Sequence, residues 1–332
     1  MIVTYEFVSQ RKLPEYQHFS AKPVSGALGA ELRGVTIAGT LPQPVIDELQ
    51  QALLEYKVIF FRDQPLDNDV HLAFARRFGM PQGPGAIPQP EGYPMIRRQQ
   101  YDQYSQIGSD VNFHADDTFR TYPSKFSILH GINMPAAGGD TIWVDMEKAY
   151  AALSEPMKVF LDGLTAEHNL LKSFGMGILK QYGAGAVEKM LKRNPPAVHP
   201  VIRCHPETGR KSIYVNKLLA SHIVELTPAE SENLLNFLYG HSYQPEFECR
   251  FHWENNSVAM WDNRCTQHRG INDFFPAFRL MQRIPLVDDQ RPSLHPEQEA
   301  VLQFGDVPYV NTEDLFDTRP EMAYGHQAAK TS

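Results

Sequence analysis

The sequence predicts a mainly β fold with flanking helices. Three observations carry that expectation: short strand-like runs recur through the middle and end of the chain, Gly, Pro, Asn and Asp turns separate them, and amphipathic helical stretches flank them. In the opening third, Val45, Ile46, Leu49, Leu53 and Leu54 recur at helical spacing between Pro42 and Glu55, with prolines at the start, so one helix with a buried stripe is expected there. Lys57-Val-Ile-Phe-Phe-Arg62 follows as a short β-branched and aromatic run closed by Asp63-Gln-Pro65, a buried strand ending in a turn. A second helix fits Asn68 to Phe78, ended by Gly79.

Further strands are expected at Lys125–His130, Asp140–Val144, Ser212–Val215, Ser257–Trp261 and Arg279–Ile284, a spacing that suits a sandwich or barrel of antiparallel strands. Helices are expected at Ala149–Gly163 and Thr227–Tyr239. Phe174 to Pro196, with four glycines and two prolines, reads as an irregular loop or lid over a site. No repeat, low-complexity segment or linker divides the chain, so residues 1–332 read as a single domain, with a lid or insert around 165–200 and a loosely held tail from about residue 311.

Bulk properties exclude several functions. At 332 residues the chain can bury a sizeable core without disulfides. The net charge is −8 and its Lys and Arg are scattered, which disfavours a nucleic-acid partner. Cys204, Cys249 and Cys265 form an odd set without CxxC spacing, which fits a reducing, cytoplasmic setting. Neither a signal-peptide pattern nor an apolar run long enough for a membrane span is present, so no membrane role is expected. Homo-oligomerisation stays open.

The chemistry begins in Asn112-Phe-His-Ala-Asp-Asp-Thr-Phe119. On an extended segment alternate side chains share a face, so His114 and Asp116 can offer one metal an imidazole nitrogen and a carboxylate oxygen. A lone His-x-Asp is weak evidence, because a turn or a surface polar pair reads the same way. A facial triad needs a third ligand and leaves other positions of the metal open. His268, at the end of Trp261-Asp-Asn-Arg-Cys-Thr-Gln-His268, is the candidate, since it follows an apolar strand; His199, His205, His222 and His252 lack a comparable companion pattern. Cys265 is read as a packing residue. Further on, Arg279, Met281 and Arg283 face one side of a strand, with the two arginines roughly 13 Å apart along the backbone. Either they pair with surface carboxylates or they bind two different anions.

These motifs together make the chain similar to the taurine dioxygenase and 2,4-dichlorophenoxyacetate dioxygenase family of Fe(II)/2-oxoglutarate-dependent dioxygenases. The similarity runs from about Gly29 to about Pro292 and includes Val58-Ile-Phe-Phe-Arg-Asp-Gln64, His114-Ala-Asp116, Gly138-Gly-Asp-Thr-Ile-Trp143, Tyr214-Val-Asn216 and the stretch ending at His268. The resemblance implies a double-stranded β-helix (jelly-roll, cupin-like) core, and His114, Asp116 and His268 as iron ligands. It implies that Thr141 and Arg279 hold the distal carboxylate of 2-oxoglutarate and that Arg283 grips the anionic end of the primary substrate. The reaction it implies consumes 2-oxoglutarate and O2, releases succinate and CO2, and oxidises, by hydroxylation, a small anionic organic substrate.

The chain departs from the family where substrate would sit. Met80-Pro-Gln-Gly-Pro-Gly85 lacks the histidine with which taurine-using relatives contact the sulfonate, Asp110 stands where they carry an amide, and Leu219 stands where they carry an aromatic residue. A substrate other than taurine is therefore expected, and Asp110 would favour one with an amino group. Tyr101 and Tyr104 are candidate pocket residues. Two alternatives remain: the same iron site used for desaturation, cyclisation or oxidative decarboxylation of an amino-carboxylate, and a non-catalytic metal-binding jelly-roll sensor.

Overall fold

The computed structural model describes residues 14–83, 88–105 and 111–305. In chain order its elements are β1 (Ser20–Pro23), β2 (Ala30–Arg33), α1 (Gln43–Tyr56), β3 (Val58–Phe61), α2 (Asn68–Ala75), β4 (Arg97–Tyr101), β5 (Ser124–Asn133), β6 (Thr141–Asp145), α3 (Met146–Ala151), α4 (Glu155–Leu161), β7 (Thr165–His168), α5 (Leu171–Tyr182), α6 (Ala184–Arg193), β8 (Ala197–Pro200), β9 (Ile202–Cys204), β10 (Lys211–Ile213), β11 (Ala220–Ile223), α7 (Pro228–Ser242), β12 (Glu248–Phe251), β13 (Ser257–Asp262), β14 (Thr266–Gly270) and β15 (Arg279–Val287). The larger sheet runs β1-β2-β3-β13-β5-β15-β4, and a smaller one runs β12-β6-β14. Among the described residues only β2 and β3 pair in parallel; the other pairings are antiparallel.

Strand alternation distributes the core between layers. On β3, Val58 and Phe60 join Trp143 of β6, Cys249 and Phe251 of β12, Trp261 of β13 and Met281 of β15 in a core shared by the two sheets. Phe60 stacks on Phe251 with centroids 4.1 Å apart and meets Trp143 edge-on at 5.4 Å. Ile59 and Phe61 point the opposite way, into a core with Val45, Ile46, Leu49 and Leu53 of α1. A strand buried on both faces has no room for a polar position, which explains its unbroken apolar run. Beyond the smaller sheet, Ile142 and Val144 pack with helical residues Met146, Leu235 and Leu238. The result is helix, sheet, sheet, helix, with the polar site between the sheets at one end of their shared core.

Most expected elements are present, with four corrections. Strands and helices occupy similar lengths of chain, so the helical share exceeds what a mainly β fold implies. The helix expected over 149–163 is two, α3 and α4, because Ser154 starts a new helix with Pro156 in its first turn. Residues 174–196, expected to be irregular, fold largely as the α5–α6 hairpin between the paired strands β7 and β8. Gly183, at φ +80°, separates the two helices, while Gly175 and Gly177 are absorbed into α5. The second helix stops at Ala75, and a turn carries the chain to Gly79.

Candidate active site

His114 and His268 are brought face to face by an antiparallel bridge: each backbone N–H donates to the other residue's carbonyl, at 3.0 and 2.8 Å. β14 presents His268, and the extended segment after Asn112 presents His114 and, two residues on, Asp116. All three are buried, and one ligand atom from each lies within 4.8 Å of the others. Both His Nε2 atoms are 3.9 Å from Asp116 Oδ1.

Protonation favours a metal. His114 Nδ1 donates to the Asn112 carbonyl at 2.8 Å, which leaves the Nε2 lone pair aimed at the cluster. Burial and the neighbouring His114 hold the pKa of His268 well below the usual histidine value, so the His268 ring is neutral. Burial alone would raise the pKa of Asp116, but Arg283, the two histidines and Ser127 outweigh it, and the carboxyl stays ionised far below its ordinary range. Two imidazoles and one carboxylate are the donor set of a non-haem iron site with open positions, and the residues therefore fit that metal.

A supporting network fixes Asp116. Ser127 Oγ donates to Asp116 Oδ2 at 2.6 Å, Asn263 Nδ2 donates to Ser127 Oγ, and the Asp116 backbone N–H donates to Asn263 Oδ1 at 3.0 Å. Trp261 Nε1 also donates to Asn263 Oδ1. Beyond Asp116, Thr118 Oγ1 contacts His168 and accepts from Asn216, while His199 Nε2 contacts the carbonyls of Thr118 and Arg120. His168, His199 and Asn216 thus anchor the segment that carries the metal ligands.

The cluster opens into a cavity of about 440 Å³. Arg279 and Arg283 both line it from β15, on the same face as Met281 of the shared core, as strand alternation requires. Arg279 Nη2 donates to the Gly139 carbonyl at 3.1 Å, and Trp253 Nε1 donates to Thr141 Oγ1 at 2.9 Å. Arg283 Nη1 sits 2.5 Å from Asp116 Oδ1, a contact the sequence did not disclose. Tyr101 and Leu219 also line the cavity. Tyr104 does not: it is 84% exposed, because the chain turns outward after β4. Asp110 lies outside the described residues, as do part of 80–85 and the tail from 311.

Sequence reasoning missed Asn263, Ser127 and the further cavity arginines Arg97, Arg120 and Arg193, whose grouping depends on contacts between distant segments. The helical hairpin contributes Phe174, Met190 and Arg193 to the lining. His205, read as lacking companions, lies with Asp262 and Cys265 in a second buried cluster. Arg264 Nη2 donates to Asp262 Oδ2 at 2.6 Å and His205 Nε2 is 3.0 Å from the same oxygen. That carboxylate is already neutralised by a guanidinium, and the cluster braces the turn before β14.

Comparison with known proteins agrees with this geometry. The family described as "Taurine catabolism dioxygenase TauD, TfdA family" matches residues 20–284. An alkylsulfatase of Acinetobacter baylyi is 33% identical over 285 residues, covering 84% of this chain and 88% of the relative. The alpha-ketoglutarate-dependent 2,4-dichlorophenoxyacetate dioxygenase of Cupriavidus pinatubonensis is 32% identical over 81% of this chain and 98% of its own length. Among solved structures, a taurine dioxygenase from Burkholderia xenovorans superposes with a TM-score of 0.73 at 33% identity, over 86% of this chain and 97% of that one. A structure titled AAD-2 in complex with Mn(II) and N-oxalylglycine gives 0.70 at 27% identity, over 82% and 99%.

Proposed function

The chain belongs to the taurine catabolism dioxygenase (TauD, TfdA) family, and on that premise we propose that His114, Asp116 and His268 hold its iron, that Thr141 and Arg279 receive the distal carboxylate of 2-oxoglutarate, and that Arg283 receives the acidic group of the primary substrate. The protein is an Fe(II)- and 2-oxoglutarate-dependent dioxygenase that oxidises a small anionic organic substrate and releases succinate and CO2. One observation carries the residue assignment: two imidazoles and a carboxylate converge within 4.8 Å at the wall of a cavity that two strand-borne arginines also line.

When bound there, iron supplies the O2 activation that couples decarboxylation of 2-oxoglutarate to oxidation of a substrate C–H bond. The chain's own residues do the rest. Asn263 and Ser127 orient Asp116, and the Asn112 carbonyl orients His114. Arg279, placed against Gly139, gives the cosubstrate carboxylate a charge-assisted fork. Phe119, Phe174 and Leu219 keep water from the reacting carbon. The two sheets around a shared core support a double-stranded β-helix, and the family's single catalytic domain is the natural reading for the whole chain. The α5–α6 hairpin serves as a lid over the cavity it lines.

Hydroxylation is the favoured outcome, since sulfate ester and aryloxyalkanoate dioxygenases are among the relatives. The substrate is sought among sulfonates, alkyl sulfates, aryloxyalkanoates and amino-carboxylates by following succinate formation with Fe(II). A member of that panel that stimulates succinate release stoichiometrically with its own oxidation supports the reading; stimulation only by neutral molecules overturns it.

A further inference from the structure

The cavity wall carries six arginines against two aspartates, in a chain whose net charge is −8. Pairing accounts for part of that excess. Arg97 donates to Asp117 at 3.2 Å and to Gln82 at 2.7 Å, and Ser124 Oγ donates to the other Asp117 oxygen at 2.7 Å, so Asp117 is fully engaged. Arg283 is on Asp116 and Arg279 on Gly139.

Arg120 is different. Its guanidinium lies over the Phe119 ring, 5.1 Å from the centroid, its Nε has no hydrogen-bond partner, and no described residue forms an ion pair with it. The charges that act on it are Asp117, Arg97 and Arg193; burial, helped by the two arginines, pulls its pKa down to about 10. A half-buried guanidinium with its Nε out of reach of water, beside two like charges, is costly, and an anionic ligand offsets that cost. Arg283 acts directly on Asp116, whereas the charges that act on Arg120 are Asp117, Arg97 and Arg193. The cavity wall therefore carries cationic groups besides the one at the metal cluster, and its apolar lining of Phe119, Phe174, Met190 and Leu219 suits a hydrocarbon spacer.

We infer that Arg120, with Arg193 of α6, forms a second anion subsite, and that the primary substrate is a dianion carrying one acidic group for Arg283 and a second carboxylate or sulfonate for Arg120. This inference rests on the small-anion reading above and narrows its substrate class.

The test uses the full chain with Fe(II) and 2-oxoglutarate and two matched series of probes: straight-chain alkanesulfonates and the same compounds bearing a terminal carboxylate. Anaerobic calorimetry gives Kd and succinate release gives KM. Wild type is expected to bind the best dianion at least about tenfold more tightly than its matched monoanion, about 1.4 kcal/mol. Arg120→Gln erases that preference, Arg120→Lys keeps part of it, and Arg193→Gln, at a half-buried helix position, reduces it even where the Arg120 variants fold poorly. Equal binding of both series by wild type, or an Arg120→Gln loss that is the same for monoanions and dianions, overturns the inference while leaving the small-anion reading intact. If neither series binds or stimulates turnover, the inference falls, while the small-anion reading is decided by the wider panel of alkyl sulfates, aryloxyalkanoates and amino-carboxylates.

Discussion

Arg283 Nη1 lies 2.5 Å from Oδ1 of Asp116, the same oxygen that sits 3.9 Å from both His Nε2 atoms. A guanidinium and a metal cation therefore compete for one carboxylate oxygen, while the other oxygen is held by Ser127. Removing the guanidinium takes away the competitor. Arg283→Met is expected to bind Fe(II) or Mn(II) roughly tenfold or more tightly in the absence of cosubstrate, since a charge-assisted hydrogen bond is worth about 1.5–3 kcal/mol. The same variant loses substrate-stimulated succinate formation. Metal titration beside turnover checks both, and weaker metal binding in Arg283→Met contradicts the competition.

Gly139 limits the other arginine. It adopts φ +71°, and a Cβ there would meet Arg279 Nε at 3.2 Å and Phe274 at 3.3 Å. Gly139→Ala strains the backbone and pushes the guanidinium off its carbonyl partner. The apparent constant for 2-oxoglutarate is expected to rise about tenfold or more, approaching that of Arg279→Ala, which loses a charge-assisted pair outright. Unchanged 2-oxoglutarate dependence in Arg279→Ala removes that assignment.

Asn263 reaches the metal site through Asp116 and Ser127, and through Trp261, which packs on His268. Asn263→Ala leaves the three ligand side chains in place but loosens the Asp116 carboxylate, so metal affinity is expected to fall about 10–100-fold. Addition of excess iron then restores much of the turnover, which loss of a ligand would not allow. No change in metal affinity would falsify this positioning role.

The site was legible in the sequence where chemistry follows local spacing. His114 and Asp116 share a face because a strand has a period of two, and Arg279 and Arg283 share the cavity for the same reason. The run 58–61 announced a strand buried on both sides because every residue is apolar. What stayed hidden is what distant segments build together. Arg97 meets Asp117 across a loop, Asn263 meets Asp116 across the shared core, and Arg120 comes near Arg193 only when α6 folds over the cavity. The hairpin itself was obscured by its glycines, because Gly175 and Gly177 signal a loop locally while the packing of Ile178 with Ala186 and Met190 sustains the helices.

His199 makes stability depend on pH. Its Nε2 lies 2.8 Å from the Thr118 carbonyl and 3.0 Å from that of Arg120, and burial pulls its pKa down to about 4. An unfolded histidine titrates near 6.5, so as pH falls the unfolded chain takes up the proton first; stability is full above about pH 6.5 and is lost as pH falls toward 4, by at most about 3 kcal/mol from this group. His168 shifts in the same direction. Urea melts at about pH 7.5 and about pH 5 should show this loss in wild type and a shallower one in His199→Gln, although that variant starts less stable. Equal pH slopes in the two proteins exclude His199 as the source.

The central claim is that His114, Asp116 and His268 together hold the iron, and His268 tests it most directly because it is the ligand brought in from the far end of the chain. Bound iron and coupled succinate formation are measured in His268→Ala and wild type, both with excess Fe(II), 2-oxoglutarate and the best substrate of the panel. The account predicts stoichiometric iron and coupled succinate in wild type, and loss of both in the variant even with excess metal. Near-normal coupled turnover by His268→Ala would contradict it.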